Sequence, residues 1–410
     1  MTSRERILAA CEGRPADHVP LTTWGFGLQP PPHLRWERDG QPRDWWYSLR
    51  MEHLHTTTVP WTLEDDFARV RAWQALGTDD MLDVSIPWGT DPEVRFTDSV
   101  IPAGADERYA VLVREYETPA GRLRHAVRQT EPEPPGWPVQ PDHVALLEDF
   151  NIPRAVEHAV SSRADVPVIR HLYAPPDEAQ GEWFAARMAA VGAFAREAGV
   201  AVQAWPAYGM DAVVWLTGAE GAIMLALDEP AAFGELVDIV AATDYARTEL
   251  ALTSPDVDLV FQRGWYSSTD FWSPALFERY VFGHLQELAA LVHRHGRRFG
   301  YVMTTGVQTL APRLADADVD VLYFLDPVQD GVSLAWARDE LAPRMTLVGG
   351  TSALTVGSGD PARIGAEVRR AMDALGQTDR FILHPLDALF PDTPWAGVEA
   401  LIAAWKECWS

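Results

Sequence analysis

The chain has 410 residues, with 33 arginines, a single lysine (Lys406) and two cysteines, Cys11 and Cys408, at opposite ends. Pyridoxal-phosphate, Schiff-base and P-loop chemistries each need a placed lysine, and iron–sulfur or thiolate zinc sites need clustered thiols, so these classes fall away. A formal charge of −25 opposes binding to nucleic acid or anionic membrane.

Thr2 and Glu5 have capping-box spacing, and Ile7, Leu8 and Cys11 give the following helix an apolar face that ends at Gly13. No secretory h-region or run of 18 uncharged apolar residues is present, which predicts a cytoplasmic protein. Residues 19–24 predict a first short strand. From 25 to 165 the text is irregular and rich in Trp, Pro, His and Arg. Within it, residues 109–117 and 122–129 flank Thr118-Pro119-Ala120-Gly121 and predict a β-hairpin. The proline cluster at 131–136 reads as a surface connector.

After residue 165, short apolar runs alternate with long amphipathic ones. The runs at 166–173, 200–205, 258–263, 298–303, 319–325, 345–349 and 380–384 predict strands. Ser273-Pro274, Asp360-Pro361 and Thr393-Pro394 open helices, with proline where its missing N–H costs nothing. Eight strand–helix units predict a (β/α)8 TIM barrel spanning 1–410 as one domain, with 25–165 as a lid inserted after the first strand. A doubly wound, NAD-type sheet would carry a glycine-rich first turn before a helix, whereas Gly25-Phe26-Gly27 leads into prolines.

Such barrels place chemistry at the C-terminal ends of their strands. Those positions hold Trp24, Phe26, His171, Tyr173, Gln203, Trp205, Tyr208, Arg263, Trp265, Tyr266, Met303, Thr305, Asp326, His384 and Asp387. Aromatic and polar groups together are expected of a small-ligand pocket. Arg263 there demands an anion, either a substrate carboxylate or an internal one such as Asp326. His293 and His295 suit the negative end of a helix dipole. His53 and His55 have the HxH spacing of metal hydrolases, but they lie inside the insertion.

The opening Arg4-Glu5-Arg6 … Gly13 … Asp17-His18-Val19-Pro20 resembles the "RERxxxxxxGxxxDxVP" start of the uroporphyrinogen decarboxylase superfamily, in its methyltransferase-like branch. Phe271-Trp272-Ser273-Pro274, Val348-Gly349-Gly350 and Pro391-Asp392-Thr393-Pro394 agree with it along the chain. The resemblance implies a barrel enzyme, a homodimer, and either methyl transfer, in some members to a corrinoid protein, or cofactor-free decarboxylation. The family's thiolate zinc ligands would fall near Met303, Thr305 and Asp387, and none is a thiol. The arginine motif of porphyrinogen decarboxylases would fall on Thr22-Thr23-Trp24-Gly25-Phe26, which lacks arginine. The expectation is therefore demethylation of a small aromatic or anionic molecule, with zinc held by His171, Asp326, His384 and Asp387. The alternatives are a lyase in which Arg263 holds a carboxylate and Asp387 or Asp80 handles the proton, and a ligand-binding relative without turnover. Asp80 and Asp83 fall where the resemblance puts an essential aspartate.

Overall fold

A computed structural model describes residues 1–46, 61–129 and 144–409. The first helix, Ser3–Glu12, starts on the capping box of Thr2 and Glu5 and stops at Gly13, whose φ of 63° is the left-handed conformation that glycine tolerates. Its residues Ile7, Ala10 and Cys11 pack onto Met81, Ala201, Leu259, Val321, Val348 and Ile382. These six lie near the N-terminal ends of their strands, so the helix plugs that end of the sheet.

The central sheet has seven parallel strands in chain order: β1 (Met81–Ser85), β2 (Ala201–Ala207), β3 (Leu259–Gln262), β4 (Arg298–Val302), β5 (Val321–Leu325), β6 (Thr346–Ser352) and β7 (Phe381–Leu386). Residues 20–25 lie between its two edges. Thr22 N–H donates to the Leu383 carbonyl on β7 (3.0 Å), and Asp79 N–H, ahead of β1, donates to the Leu21 carbonyl (3.0 Å). The chain is thus an α/β protein with a curled parallel sheet clad in helices.

Two of the three helix openings behave as their sequences predict, and the third is displaced by one residue, with Pro394 as the cap and not the first helical residue. Ser273-Pro274 starts a helical run through Pro274–Phe277, a π-helical turn at Glu278–Phe282 and Gly283–Arg294. Asp360 caps Pro361–Leu375, and Pro394 precedes Trp395–Glu407. Among the described residues no single helix is long and apolar enough to cross a membrane.

Two assignments require correction. The run at 166–173 is a helix, Val166–Leu172, with a proline in its first turn. Val166, Ile169 and Leu172 lie on its buried side at helical spacing, and a short apolar run carries both periodicities. The strand that takes its place is β1, inside the block read as a lid. Asp83 interrupts its apolar run and Asp79-Asp80 precede it, so the segment looks solvated although β1 is buried throughout. The block 25–165 therefore contributes a stave to the central sheet. It also carries an antiparallel sheet of Arg95–Ile101, Val111–Thr118, Gly121–Arg128 and Ala155–Glu157, in that order, which includes the predicted hairpin. The connector at 131–136 lies outside the described residues.

Gly300 on β4 has no room for a side chain, because an added Cβ would sit 1.9 Å from the Phe261 ring. Gly300→Ala is expected to cost about 1–3 kcal/mol through overpacking. Denaturant unfolding checks this, and an unchanged midpoint would contradict the packing described.

Candidate active site

Alternation along β3 points Leu259, Phe261 and then Arg263 inward. Arg263 is buried, and its guanidinium packs against two indoles, with Cζ 4.4 Å from the Trp265 ring centroid and 4.9 Å from that of Trp215. Its Nε donates to Asp211 Oδ2 (3.1 Å) and its Nη2 to Asp149 Oδ2 (3.4 Å). Asp211 also accepts the Tyr266 N–H (2.9 Å), and Asp149 accepts the Trp215 indole N–H (2.8 Å). The anion that Arg263 needs is internal, and it is not Asp326. This corrects the expectation that Arg263 is held ready for a substrate carboxylate.

Asp387 follows β7 and is partly exposed. Burial, with Asp149 and Asp326 nearby, pushes its carboxyl up to about 7; Arg263 and a hydrogen bond from Trp265 oppose the shift. At neutral pH this group is both an acid and a base. Asp326 instead closes a turn, accepting the N–H groups of Val328 (2.7 Å) and Gln329 (3.0 Å). Phe26 and Phe390, 6.2 Å apart, pack together with Trp265 against the cluster that contains Trp24 and Trp205.

Deeper in the sheet, Trp24 stacks on Tyr323 (4.8 Å) and meets the His384 ring edge-on (5.1 Å), while Trp205 stacks on Phe261 (4.9 Å). His384 shares a hydrogen bond between Nδ1 and the Thr22 hydroxyl (2.9 Å), and burial pushes it down to about 3, so it is neutral. Asp83 Oδ1 accepts from Gln203 Nε2 (2.5 Å) and Trp205 Nε1 (2.8 Å). Burial pushes Asp83 up to about 7. The predicted residues Trp24, Gln203, Trp205 and His384 thus fill the interior, while Phe26, Trp265 and Tyr266 are part-exposed near Asp387 and Arg263.

Other predicted residues lie elsewhere. His171 is on the helix Val166–Leu172, with Nδ1 2.8 Å from Asp91 Oδ2. Tyr173 donates to Asp244 (2.5 Å) and accepts from Arg247 Nη1 (2.7 Å); Asp244 also takes the N–H groups of Tyr208 (2.9 Å) and Gly209 (2.7 Å). That network holds the turn after β2. Asp80 precedes β1 and pairs with buried Arg69 (2.5 Å), so it is an internal ion pair at the end of the sheet remote from the site. Met303 is buried, and the Thr305 hydroxyl donates to Asp270 (2.7 Å). His293 pairs with Asp320 (2.6 Å), a structural contact. His53 and His55 lie outside the described residues.

The four expected zinc ligands do not converge. His171 belongs to another element, Asp326 is used by backbone N–H groups, and His384 is clamped between Thr22 and aromatic rings. Among the described residues no group of three or more His, Cys, Asp or Glu side chains is placed to hold a metal ion. Conversely, sequence reading missed Asp149 and Asp211. Asp211 could have been found: it stands in the first turn of Met210–Thr217, directly after β2.

Arg263→Met is expected to destabilise the protein by about 3–5 kcal/mol, because Asp211 stays buried without its cation. Adding Asp211→Asn should restore a large part of the loss in urea unfolding. No loss in the single variant would contradict the pairing.

The family model described as uroporphyrinogen decarboxylase (URO-D) matches residues 198–408, just over half of the chain. No curated protein matches in sequence. Among solved structures, a methyltransferase from Methanosarcina mazei is similar with a TM-score of 0.56 and 16% identity, covering 100% of both chains. That likeness is one of fold. A D-psicose 3-epimerase (13% identity, TM-score 0.36, 54% of this chain and 82% of that one) matches far more weakly. So does a 3-keto-D-glucoside 4-epimerase from E. coli (13%, 0.36, 62% and 95%). By the family match over its C-terminal half, the chain belongs to the uroporphyrinogen decarboxylase (URO-D) family.

Proposed function

We propose that this URO-D family member is a methyltransferase that demethylates a small aromatic methyl ether. The site is the mouth of a closed (β/α)8 barrel, bordered by part of the block at 25–165. What supports the reading is the position of the Asp387 carboxyl at the end of β7, beside Trp265 and among Asp149, Asp326 and Arg263, where burial and the neighbouring carboxylates push it up to about 7. Phe26, Trp265, Tyr266 and Phe390 offer ring faces and edges to an aromatic substrate. The Arg263 charge is already met by Asp211 and Asp149, which favours a neutral ring over a carboxylate and so methyl transfer over decarboxylation.

In the proposed step the O–CH3 bond breaks with its electron pair remaining on oxygen. The methyl group passes to a nucleophilic acceptor, for which we propose the reduced corrinoid of a partner protein. Asp387 gives its proton to the departing oxygen and regains one from water. Because the candidate ligands do not converge, no step is assigned to zinc.

The test follows methyl transfer from an aryl methyl ether to reduced cobalamin by absorbance. Asp387→Asn should lower the rate about 10²–10⁴-fold, the usual worth of a positioned acid. Wild-type activity should fall as pH rises above about 7, where the carboxyl loses its proton. Unchanged turnover in the variant would overturn the role of Asp387. Carbon dioxide release from an aryl acid without any acceptor would favour the lyase.

The same carboxyl carries a stability signature. It holds its proton to about 7 when folded, whereas an unfolded aspartate releases it near 3.9. Its contribution to stability is complete below the unfolded value and is lost as pH rises through the folded one. Asp387→Asn should therefore gain stability relative to wild type between about pH 4 and 7, measured by urea unfolding at each pH. A difference that does not change with pH would contradict the raised titration.

A further inference from the structure

Helices Met210–Thr217 and Ala219–Asp228 meet at 101° about Gly218, whose φ of 70° is left-handed. The His158 ring packs into the bend, so that an added Cβ on Gly218 would sit 2.4 Å from its Nε2. The segment that carries His158 is tied to the first of these helices, where Val160 N–H donates to the Leu216 carbonyl (2.9 Å). Between this segment and the second helix lies an open groove of about 1010 Å³. Its walls start next to residues already used at the mouth: Ile152 follows Asp149 by three positions, and Thr217 follows Trp215 by two. The groove therefore borders the mouth without being part of it.

Apolar side chains form its floor: Ile152, Val156, Val160, Met224 and Leu225. Val156 is 45% exposed and Met224 49%; Leu227, one turn beyond Met224 on the same helix face, is 61% exposed. Large apolar side chains left open to water beside a concave surface mark a binding face. The rim is acidic, with Glu157, Glu220, Asp228 and Glu229 against one cation, Arg163. Arg163 is already 3.6 Å from Glu229, and Glu157 pairs with Arg124. Glu220 and Asp228, at the two ends of Ala219–Asp228, are exposed and have no cation beside them among the described residues.

We propose that this groove receives a basic amphipathic helix of a partner protein, the helix-in-groove mode of recognition. The partner's apolar face would lie on Val156, Met224 and Leu227, and its flanking lysines or arginines would meet Glu220 and Asp228. These two carboxylates are eight positions apart, about 12 Å along the helix, so cations two turns apart on a helix lying beside it reach both. Other occupants fit less well. Strand addition needs a longer edge than Ala155–Glu157, the three-residue strand at this wall. An anionic membrane surface is opposed by the acidic rim, and a second copy by its own formal charge of −25. The proposal stands on the groove alone and does not depend on the reaction assigned to the mouth.

The probe is a fluorescein-labelled synthetic peptide of about 18 residues, five helical turns, with leucines at i, i+3, i+4 and i+7 spacing and lysines flanking them. Fluorescence anisotropy with the full chain at about 0.15 M salt should show saturable binding. Met224→Ser with Leu227→Ser, both at exposed positions, should keep the thermal unfolding midpoint yet weaken binding about tenfold. Glu220→Gln with Asp228→Asn should also weaken it and flatten its dependence on salt. A benzophenone at the central leucine should attach on irradiation to residues 152–163 or 219–229. No saturable binding, binding that both pairs of substitutions leave unchanged, or attachment elsewhere on the chain would overturn the proposal. So would equal binding of the same peptide with its leucines scattered around the helix. A chain dimer, or binding to phosphatidylserine vesicles, that Met224→Ser with Leu227→Ser abolishes would give the groove another occupant and overturn it too.

Discussion

A guanidinium removed from water must be paired, and the C-terminal end of the sheet is arranged around that requirement at Arg263. Its charge cannot be relocated, since arginine stays protonated, so neighbouring segments supply anions instead. The helix after β2 brings Asp211 and residues 144–149 bring Asp149, 52 and 114 positions away in the chain. The Trp215 and Trp265 indoles pack against the guanidinium. Each partner is then bound in turn, Asp211 to the backbone of Tyr266 and Asp149 to Trp215. Three loops are thereby tied to one side chain, and Asp387 lies where the carboxylates outnumber the cation. Retaining a proton is how that carboxyl resolves the imbalance, which turns a packing constraint into a group with acid–base capacity at neutral pH.

Beneath the mouth the interior is packed, and its polar groups are used internally only in part: His384 Nε2 and Gln203 Oε1 are buried without a hydrogen-bond partner among the described residues. His384 is neutral and held by Thr22, while Asp83 is covered by amide and indole donors. Trp24 bridges the two levels, touching Tyr323 and His384 below and Trp265 toward the mouth. A rigid aromatic floor of this kind positions whatever binds above it without moving, as preorganised sites require. The first helix closes the opposite end, so the sheet offers its chemistry on one side.

Local signals made much of the fold legible. Thr2 and Glu5, Ser273-Pro274 and Asp360-Pro361 name helix starts through contacts within a few residues, and those contacts form. The run 166–173 reads as a strand although 166–172 is a helix, and 81–85, broken by Asp83, carries no strand signal although it is β1. What makes 81–85 a strand is tertiary: β1 pairs along its whole length with β2, an event no local pattern records. Strand-end position in the sequence places Arg263 and Asp387 at the same end of the sheet, though not what Arg263 pairs with. That pairing was hidden because Asp149 is distant in sequence. Asp80 and Asp83 show how narrow the margin is. They stand three residues apart, yet one ends in an ion pair with Arg69 at the entrance to β1 and the other reaches the interior.

The account turns on the protonation of Asp387, and carboxyl titration by NMR of protein labelled with 13C at the aspartate side chains observes it directly. A carboxyl resonance with a midpoint near pH 7 that disappears in Asp387→Asn is the predicted result. A spectrum in which Asp387 is fully ionised at pH 5 would contradict the account, because no proton would remain at the mouth to assist a leaving group.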